Sequence, residues 1–159
     1  MAMHTWFECK IRYEKVMENG MQKKVTEPYL VDALSFTEAE ARIIEEMTPF
    51  ISGEFTVSDI KRANYSELFP SDEESADRWF KCKLIFITLD EKSGAEEKTS
   101  TQVLVQAADL RDAVKKLDEG MKGTMADYQI GMVSETPLMD VYPYSAEPND
   151  KPEFDPSKA

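Results

Sequence analysis

Apolar and polar residues alternate along two stretches of the chain, one beginning at Trp6 and the other at Trp79. The apolar positions are Phe7, Cys9, Ile11 and Tyr13 in the first stretch, and Phe80, Cys82, Leu84 and Phe86 in the second. A period of two is typical of a β-strand that buries one face. Because the two stretches also contain both tryptophans and both cysteines of the chain, they indicate an internal duplication.

A hairpin turn is predicted after each of these strands. Asn19 and Gly20 give the strongest short hairpin signal, because a type I′ turn needs positive φ at both central residues. The return strand is then expected over 22–31. In the second copy, a longer turn that contains glycine lies at 92–94, and the return strand is expected over 101–106.

A helical period of about 3.6 follows each hairpin. The apolar faces are Phe36, Ala39, Ile43 and Met47 in one helix, and Leu110, Ala113, Val114, Leu117 and Met121 in the other. Ser35 and Asp109 occupy the predicted N-cap positions. Glu38, at the third helical position, completes a capping box, whereas Asp112 at the corresponding place is expected only to complement the helix dipole.

Each helix is followed by a further strand, predicted over 55–61 and over 125–132. Whether 65–69 and 138–142 add a fourth strand stays open. The predicted fold class is α+β, with an internally duplicated β-β-α-β(β) unit. We expect antiparallel sheet pairing, two helices packed on the sheets and a pseudo-twofold arrangement with a shared core, because one such unit buries little surface alone. Independently folded halves are the alternative.

The predicted organisation has four parts. Repeat 1 covers 1–70, an acidic linker covers 71–78, and repeat 2 covers 79–142. The tail over 143–159 contains four of the eight prolines among polar residues, so it is expected to be extended or disordered.

The charge balance favours some partners over others. The 159 residues carry a formal net charge of −12, with acidic residues in both halves. Such a surface repels phosphate backbones and favours solubility or a basic partner. The chain contains neither an apolar run of membrane-spanning length nor the apolar core of a signal peptide, and its two cysteines form no CxxC pair. These features predict a cytoplasmic protein.

Few residues are candidates for catalysis, redox chemistry or metal binding. Cys9 and Cys82 occupy equivalent inward positions, where they would act as small apolar side chains or, alternatively, meet as a redox pair or half a metal site. His4 is the only histidine, so the common zinc sites lack ligands. Asp32 and its counterpart Gln106 are best explained by a hydrogen bond near the start of each helix. No pattern predicts a cofactor, a metal site or catalytic residues, so no enzyme is expected.

The outward faces of the two first strands form the candidate binding surface. Its residues are Trp6, Lys10 and Arg12 on one strand and Trp79, Lys81 and Lys83 on the other. An exposed aromatic and basic stripe would stack bases and hold phosphates of single-stranded nucleic acid. Alternatively, the indole rings cover the sheet edge or the seam between the two predicted repeats, and the lysine stems extend over them.

The segment from Glu27 to Arg42, EPYLVDALSFTEAEAR, together with WFECK at 6–10, resembles an uncharacterised family of short proteins of Bacteroides-type bacteria and their phages. The resemblance covers the chain up to about Tyr142 and implies no activity or catalytic residue. We therefore expect a non-enzymatic module that binds a protein partner. A nucleic-acid-binding module is the first alternative, and an acidic inhibitor or DNA mimic that occupies a basic partner is the second.

Overall fold

The structure, a computed structural model, describes residues 5–124 and 127–143. Its elements in chain order are β1 (Trp6–Val16), β2 (Gln22–Asp32), α1 (Phe36–Met47), β3 (Phe55–Ala63), β4 (Glu67–Phe69), β5 (Arg78–Leu89), β6 (Glu96–Ala107), α2 (Leu110–Gly120), β7 (Asp127–Glu135) and β8 (Val141–Tyr142). The protein is therefore a mixed α+β protein with two helices and two four-stranded sheets within its described residues.

The elements form two compact units. Unit 1 combines the described residues up to Ala63 with those from Asp140 onwards, and unit 2 covers Asn64–Met139. Unit 2 is thus continuous in sequence, whereas unit 1 is made of two separate segments. The bounds of the two units differ from those of the two predicted repeats, because the segment at 64–70 belongs to unit 2 and the described segment from 140 belongs to unit 1.

In unit 1 the strand order is β3-β1-β2-β8. Strands β1 and β2 form an antiparallel hairpin whose turn contains Gly20 at a φ of 83°. Helix α1 covers one face of the sheet. The fully buried residues between them include the predicted inward positions of β1 and the apolar face of α1: Phe7, Cys9, Ile11, Ala39, Ile43 and Met47.

In unit 2 the strand order is β4-β6-β5-β7. The hairpin of β5 and β6 turns at Gly94, with a φ of 73°. Helix α2 covers the sheet face that carries Phe80, Cys82, Leu84, Val103 and Val105, and its own residues Ala113 and Leu117 complete this core. Strand β7 begins at Asp127, and the expected start of this strand at 125 lies outside the described residues.

The fourth strands exist, and they change the expected sheet type. Strand β8 pairs in parallel with β2, and β4 pairs in parallel with β6, so both sheets are mixed rather than purely antiparallel. Each fourth strand also joins a sheet whose other strands belong to the other predicted repeat. β4 follows β3 along the chain but completes the sheet of unit 2, and β8 follows β7 but completes the sheet of unit 1. We call this arrangement the strand exchange.

Both helices begin at the predicted caps. The side chains of Ser35 and Asp109 accept hydrogen bonds from the backbone N–H of Glu38 and Asp112, respectively. The expectation for Asp112 is wrong in one respect, because its Oδ2 also accepts a hydrogen bond from the N–H of Ala108 at 2.9 Å. The shorter aspartate reaches back as glutamate does, since the chain before α2 approaches the carboxylate closely. This bond from Ala108, together with the bond from Lys116, lowers the pKa of the Asp112 carboxyl.

The first residue of each predicted apolar helix face lies outside the core. Phe36 and Leu110 are about half exposed. Phe36 still contacts the core edge, because its ring meets that of Phe7 edge-on with 4.9 Å between centroids. The periodic pattern therefore identified the buried face from its second residue onwards.

Candidate interaction surface

Both tryptophans of the candidate binding surface are buried rather than exposed. Trp6 is 3% exposed and Trp79 is 5% exposed. They lie on the sheet faces away from the helices, where Leu30 of β2 and Leu104 of β6 are also fully buried. The alternation of apolar and polar residues along β1 and β5 placed both rings on the outward face of the sheet. It could not show that this face is covered where the two tryptophans lie. Neither ring is available as a platform for stacking bases.

The basic residues of the candidate surface fall into two different surroundings in unit 1. Lys10 is half-buried between Pro28 and Asp59 in register. Arg12 is exposed and lines a depression of about 550 Å³ beside the β1–β2 hairpin. Lys24 adds a second positive charge to this depression, and Glu14 and Glu54 balance both. The charges around Arg12 are therefore mixed.

The end of the same hairpin carries exposed apolar side chains. Val16 and Met21 are each 66% exposed, and Met17 is 39% exposed. Val16 lines the depression that contains Arg12, and it also lines a second depression of about 520 Å³ together with Met17 and Lys15. We call the residues Val16, Met17 and Met21 the hairpin patch.

In unit 2 the structure brings Lys81 and Lys83 together. Both line a depression of about 500 Å³ on the sheet face away from α2, with Asn64, Ser100, Gln102 and Met132. Lys83 lies opposite Gln102 on β6 and Met132 on β7. No carboxylate lines this depression among the residues that the structure describes. We call it the lysine depression.

A polar cluster in unit 1 was not anticipated from the sequence. Glu27 accepts hydrogen bonds from the hydroxyls of Tyr13 at 2.9 Å and Tyr29 at 3.4 Å, and Lys15 approaches it at 3.3 Å. Burial, together with the bond to Glu27, raises the pKa of Tyr13 to about 12. Burial raises the pKa of Tyr29 as well. Both phenols are thus hydrogen-bond donors at neutral pH and cannot act as bases.

The sequence feature that could have predicted this cluster is Glu27, because it is a charged residue at an inward position of β2 beside apolar neighbours. At the corresponding places of unit 2 the residues are Phe86, Thr101 and Val103, which cannot reproduce the bonds. The cluster stabilises the hairpin of unit 1, because it joins side chains of β1 and β2 above the helix-covered face.

The two cysteines lie in the cores of their own units. Cys9 and Cys82 are free thiols and fully buried. Burial raises the pKa of Cys9 to about 12, with smaller contributions from Glu8, Asp59 and Glu40, and it raises the pKa of Cys82 to about 11. A thiol with so high a pKa is a poor nucleophile at neutral pH, which agrees with the interpretation of both cysteines as small apolar side chains.

The polar positions at the ends of β2 and β6 are explained by hydrogen bonds, although the partners differ from those expected. Oδ1 of Asp32 accepts from the N–H of Thr5 at 3.2 Å, and Oε1 of Gln106 accepts from the N–H of Ser71 at 2.9 Å. Each side chain binds the chain segment that leads towards the first strand of its sheet.

On each helix, one positively charged side chain binds the segment that follows the fourth strand of the sheet, β8 in unit 1 and β4 in unit 2. In unit 1, Arg42 donates to the backbone oxygen of Pro143 at 3.0 Å, just after β8. In unit 2, Lys116 lies 3.0 Å from Glu73 and 3.1 Å from Ser71, shortly after β4. The first part of the predicted acidic linker is therefore bound to α2 within unit 2.

No group of three His, Cys, Asp or Glu side chains is arranged to hold a metal ion in 5–124 and 127–143, and His4 lies outside these ranges. Over the same ranges, neither helix has the length and apolar character required to cross a bilayer.

The match to a family model extends over both units. Residues 5–144 match the model of the family described as a domain of unknown function (DUF4494). The chain belongs to this family. The DUF4494 match includes every residue that the structure describes, so the strand exchange and both depressions lie inside the family domain. No curated protein matches the chain. Because the description of DUF4494 names no activity, roles for individual residues rest on geometry and charge.

Proposed function

We propose that this chain is a non-enzymatic binding module whose partner is a protein. The hairpin patch carries this proposal, because its three apolar side chains project from the end of a hairpin that the rest of unit 1 leaves uncovered. Methionine and arginine are enriched in protein interfaces, and flexible methionine side chains adapt to an apolar partner surface. Arg12 and the mixed charges beside the patch supply a polar rim.

The titratable groups support a binding role over catalysis. The thiols of Cys9 and Cys82 and the phenols of Tyr13 and Tyr29 all have raised pKa values, so each is protonated at neutral pH. An activated nucleophile or general base needs the opposite shift or a poised pKa near the working pH. We accordingly propose that the module has no catalytic centre.

The test compares two exposed hairpin ends in the same protein. Met21→Glu places a charge in the hairpin patch, and Leu89→Glu places one on the end of the β5–β6 hairpin, where Leu89 is also highly exposed. A partner is first isolated by crosslinking through a photoreactive residue at position 17, and its affinity for each purified full-length variant is then measured. We expect Met21→Glu to weaken binding by roughly tenfold or more, as loss of an interface anchor does.

The Leu89→Glu variant is expected to bind as the unchanged protein does, and both variants should melt at the same temperature. Equal weakening by the two substitutions would place the interface elsewhere. If crosslinking from position 17 yields no protein while position 89 does, the role of the hairpin patch is refuted.

We also infer that the chain arose by internal duplication. The two sheets have matching strand orders, and each exchanged strand pairs in parallel with the second strand of its sheet. Arg42 and Lys116 perform the same task at corresponding helix positions, which supports the inference at the level of side chains. The free thiols further support the expected cytoplasmic location, since reducing compartments keep cysteines unpaired.

The alternative function is binding of single-stranded nucleic acid, and the lysine depression is the observation that favours it. Lys81 and Lys83 would contact phosphates there. The buried rings of Trp6 and Trp79 remove the base-stacking contribution that such binding ordinarily uses. Protein binding is therefore the stronger proposal.

A further inference from the structure

The lysine depression differs in charge from the chain as a whole. The sequence contains 31 acidic and 19 basic residues, so a lysine on this protein has many carboxylates to pair with. The depression nevertheless gathers two lysines and no acid from the described residues that line it. Neither Lys81 nor Lys83 forms an ion pair within the described part of the chain. Two positive charges are thus concentrated at one place without a counterion from the residues that the structure describes.

The position of the lysines on the strand brings their charges to one face. Lys81 and Lys83 are two residues apart on β5, so both side chains leave the sheet on the side away from α2. Lys81 is half-buried and Lys83 is exposed. The neighbouring side chains add hydrogen-bond donors without adding charge, namely the amides of Asn64 and Gln102 and the hydroxyl of Ser100. Ammonium, amide and hydroxyl groups together form a set of donors for oxygen anions.

We propose that the lysine depression binds a small ligand through an oxyanion group, either a phosphate or a carboxylate. The site belongs to unit 2 and is independent of the hairpin patch of unit 1. Its volume of about 500 Å³ lies within the range of small-molecule sites. A small ligand is favoured over a long polyanion, because the net charge of −12 repels a phosphate backbone that extends beyond the depression.

Lysine ammonium groups act as point charges, unlike the planar guanidinium group of arginine, so the site tolerates oxyanions of different shape. The amides and hydroxyl then select for a group with several acceptor oxygens. Met132, on the neighbouring strand β7, supplies an apolar wall for the rest of the ligand. The sheet fixes the spacing of these groups, because β5 lies between β6 and β7 and is hydrogen-bonded to both.

The test is a titration of the full-length protein followed by NMR. Pyrophosphate and citrate are added separately, with chloride used to keep the ionic strength constant. We expect saturable shifts of the backbone amides of Lys81, Lys83 and Gln102 with at least one of the two anions. Saturation by pyrophosphate alone identifies a phosphate ligand, and saturation by citrate alone identifies a carboxylate ligand.

Two variants separate a site from general charge attraction. Lys83→Gln removes one charge from the depression and should weaken binding by roughly tenfold, the loss expected for one charge-assisted hydrogen bond. Lys98→Gln removes the same charge from β6, outside the residues that line the depression, and should leave the affinity unchanged. Shifts that do not saturate, or that respond equally to both substitutions, would overturn the proposal.

A short single-stranded oligonucleotide provides the third arm of the titration. It is expected to bind no more tightly than pyrophosphate, because its additional phosphates face an acidic protein. Binding of the oligonucleotide at least tenfold more tightly, lost in Lys83→Gln, would refute the small-ligand proposal in favour of nucleic-acid binding.

Discussion

At the scale of single residues, glycine at position 120 determines how closely β4 and α2 approach each other. A Cβ atom at this position would lie 2.7 Å from the ring of Phe69. The ring belongs to the exchanged strand β4 and packs on the core of unit 2. In unit 1, burial raises the pKa of Tyr142 on β8 to about 12, with smaller contributions from the charges of Asp140 and of Glu46, which corresponds to Gly120.

We expect Gly120→Ala to destabilise the protein by about 1–3 kcal/mol, because the phenyl ring must move or the helix end must shift. The matched control is Gly53→Ala, since a Cβ at Gly53 meets no atom within 4 Å. Urea denaturation measures both free energies of unfolding. A Gly120→Ala variant as stable as the Gly53→Ala control would show that Phe69 does not pack against this helix end.

The buried thiols make stability depend on pH in the alkaline range. The ordinary pKa of 9.0 is raised to about 12 for Cys9 and to about 11 for Cys82. The neutral thiols therefore stabilise the folded protein fully below pH 9, and this contribution is lost as the pH rises through the folded-state values. We expect the free energy of unfolding to fall between pH 9 and pH 11.

The variant with both Cys9→Ala and Cys82→Ala should show a shallower decline over the same range. Denaturation with urea at several pH values measures the two slopes. Tyr13, whose pKa is also raised to about 12, leaves part of the decline in place. Identical slopes for the variant and the unchanged protein would contradict the burial of the thiols.

At the scale of elements, the sequence predicted those strands and helices that are long enough to show a periodic pattern. The long strands β1 and β5 alternate over many residues, and both helices carry an apolar face, so their type and inward residues were correct. Strands β4 and β8 contain three and two residues, which is too short for any period to be read. Their parallel pairing was missed for the same reason, since pairing partners depend on where the chain travels after β3 and β7.

The strand exchange predicts that a change near the end of the described chain affects the sheet formed near its beginning. Val141 of β8 is buried opposite Leu30, whose N–H donates to the oxygen of Asp140 at 3.0 Å. We expect Val141→Asp to destabilise unit 1 by at least about 2 kcal/mol, because a charge is buried without a partner. Hydrogen exchange should show lost protection at the Leu30 amide.

Met139→Asp is the matched control for this prediction, because Met139 is half exposed and lies two residues earlier. It should leave the Leu30 amide protected. If Val141→Asp instead increased exchange only in β5, β6 and β7, strand β8 would not belong to the sheet of unit 1.

At the scale of the whole molecule, the sequence predicted only part of the candidate binding surface. Charge and alternation placed Lys81 and Lys83 on one outward face, and the structure gathers them in one depression. The same reasoning left open whether Trp6 and Trp79 are exposed or cover the sheet edge, and both are buried. Alternation reports which side chains share a face, whereas exposure depends on what covers that face. The hairpin patch escaped notice because isolated exposed apolar residues carry no pattern.

The strand exchange also sets the order in which the units can be completed during synthesis. Unit 2 is continuous over Asn64–Met139, so all of its strands have been translated before Val141 is added. Unit 1 begins first but receives the last strand of its sheet, β8, only after unit 2 has been translated. During translation, all strands of unit 2 are therefore synthesised while the sheet of unit 1 still lacks β8. A cut after Ala63 would release a unit without one edge of its sheet.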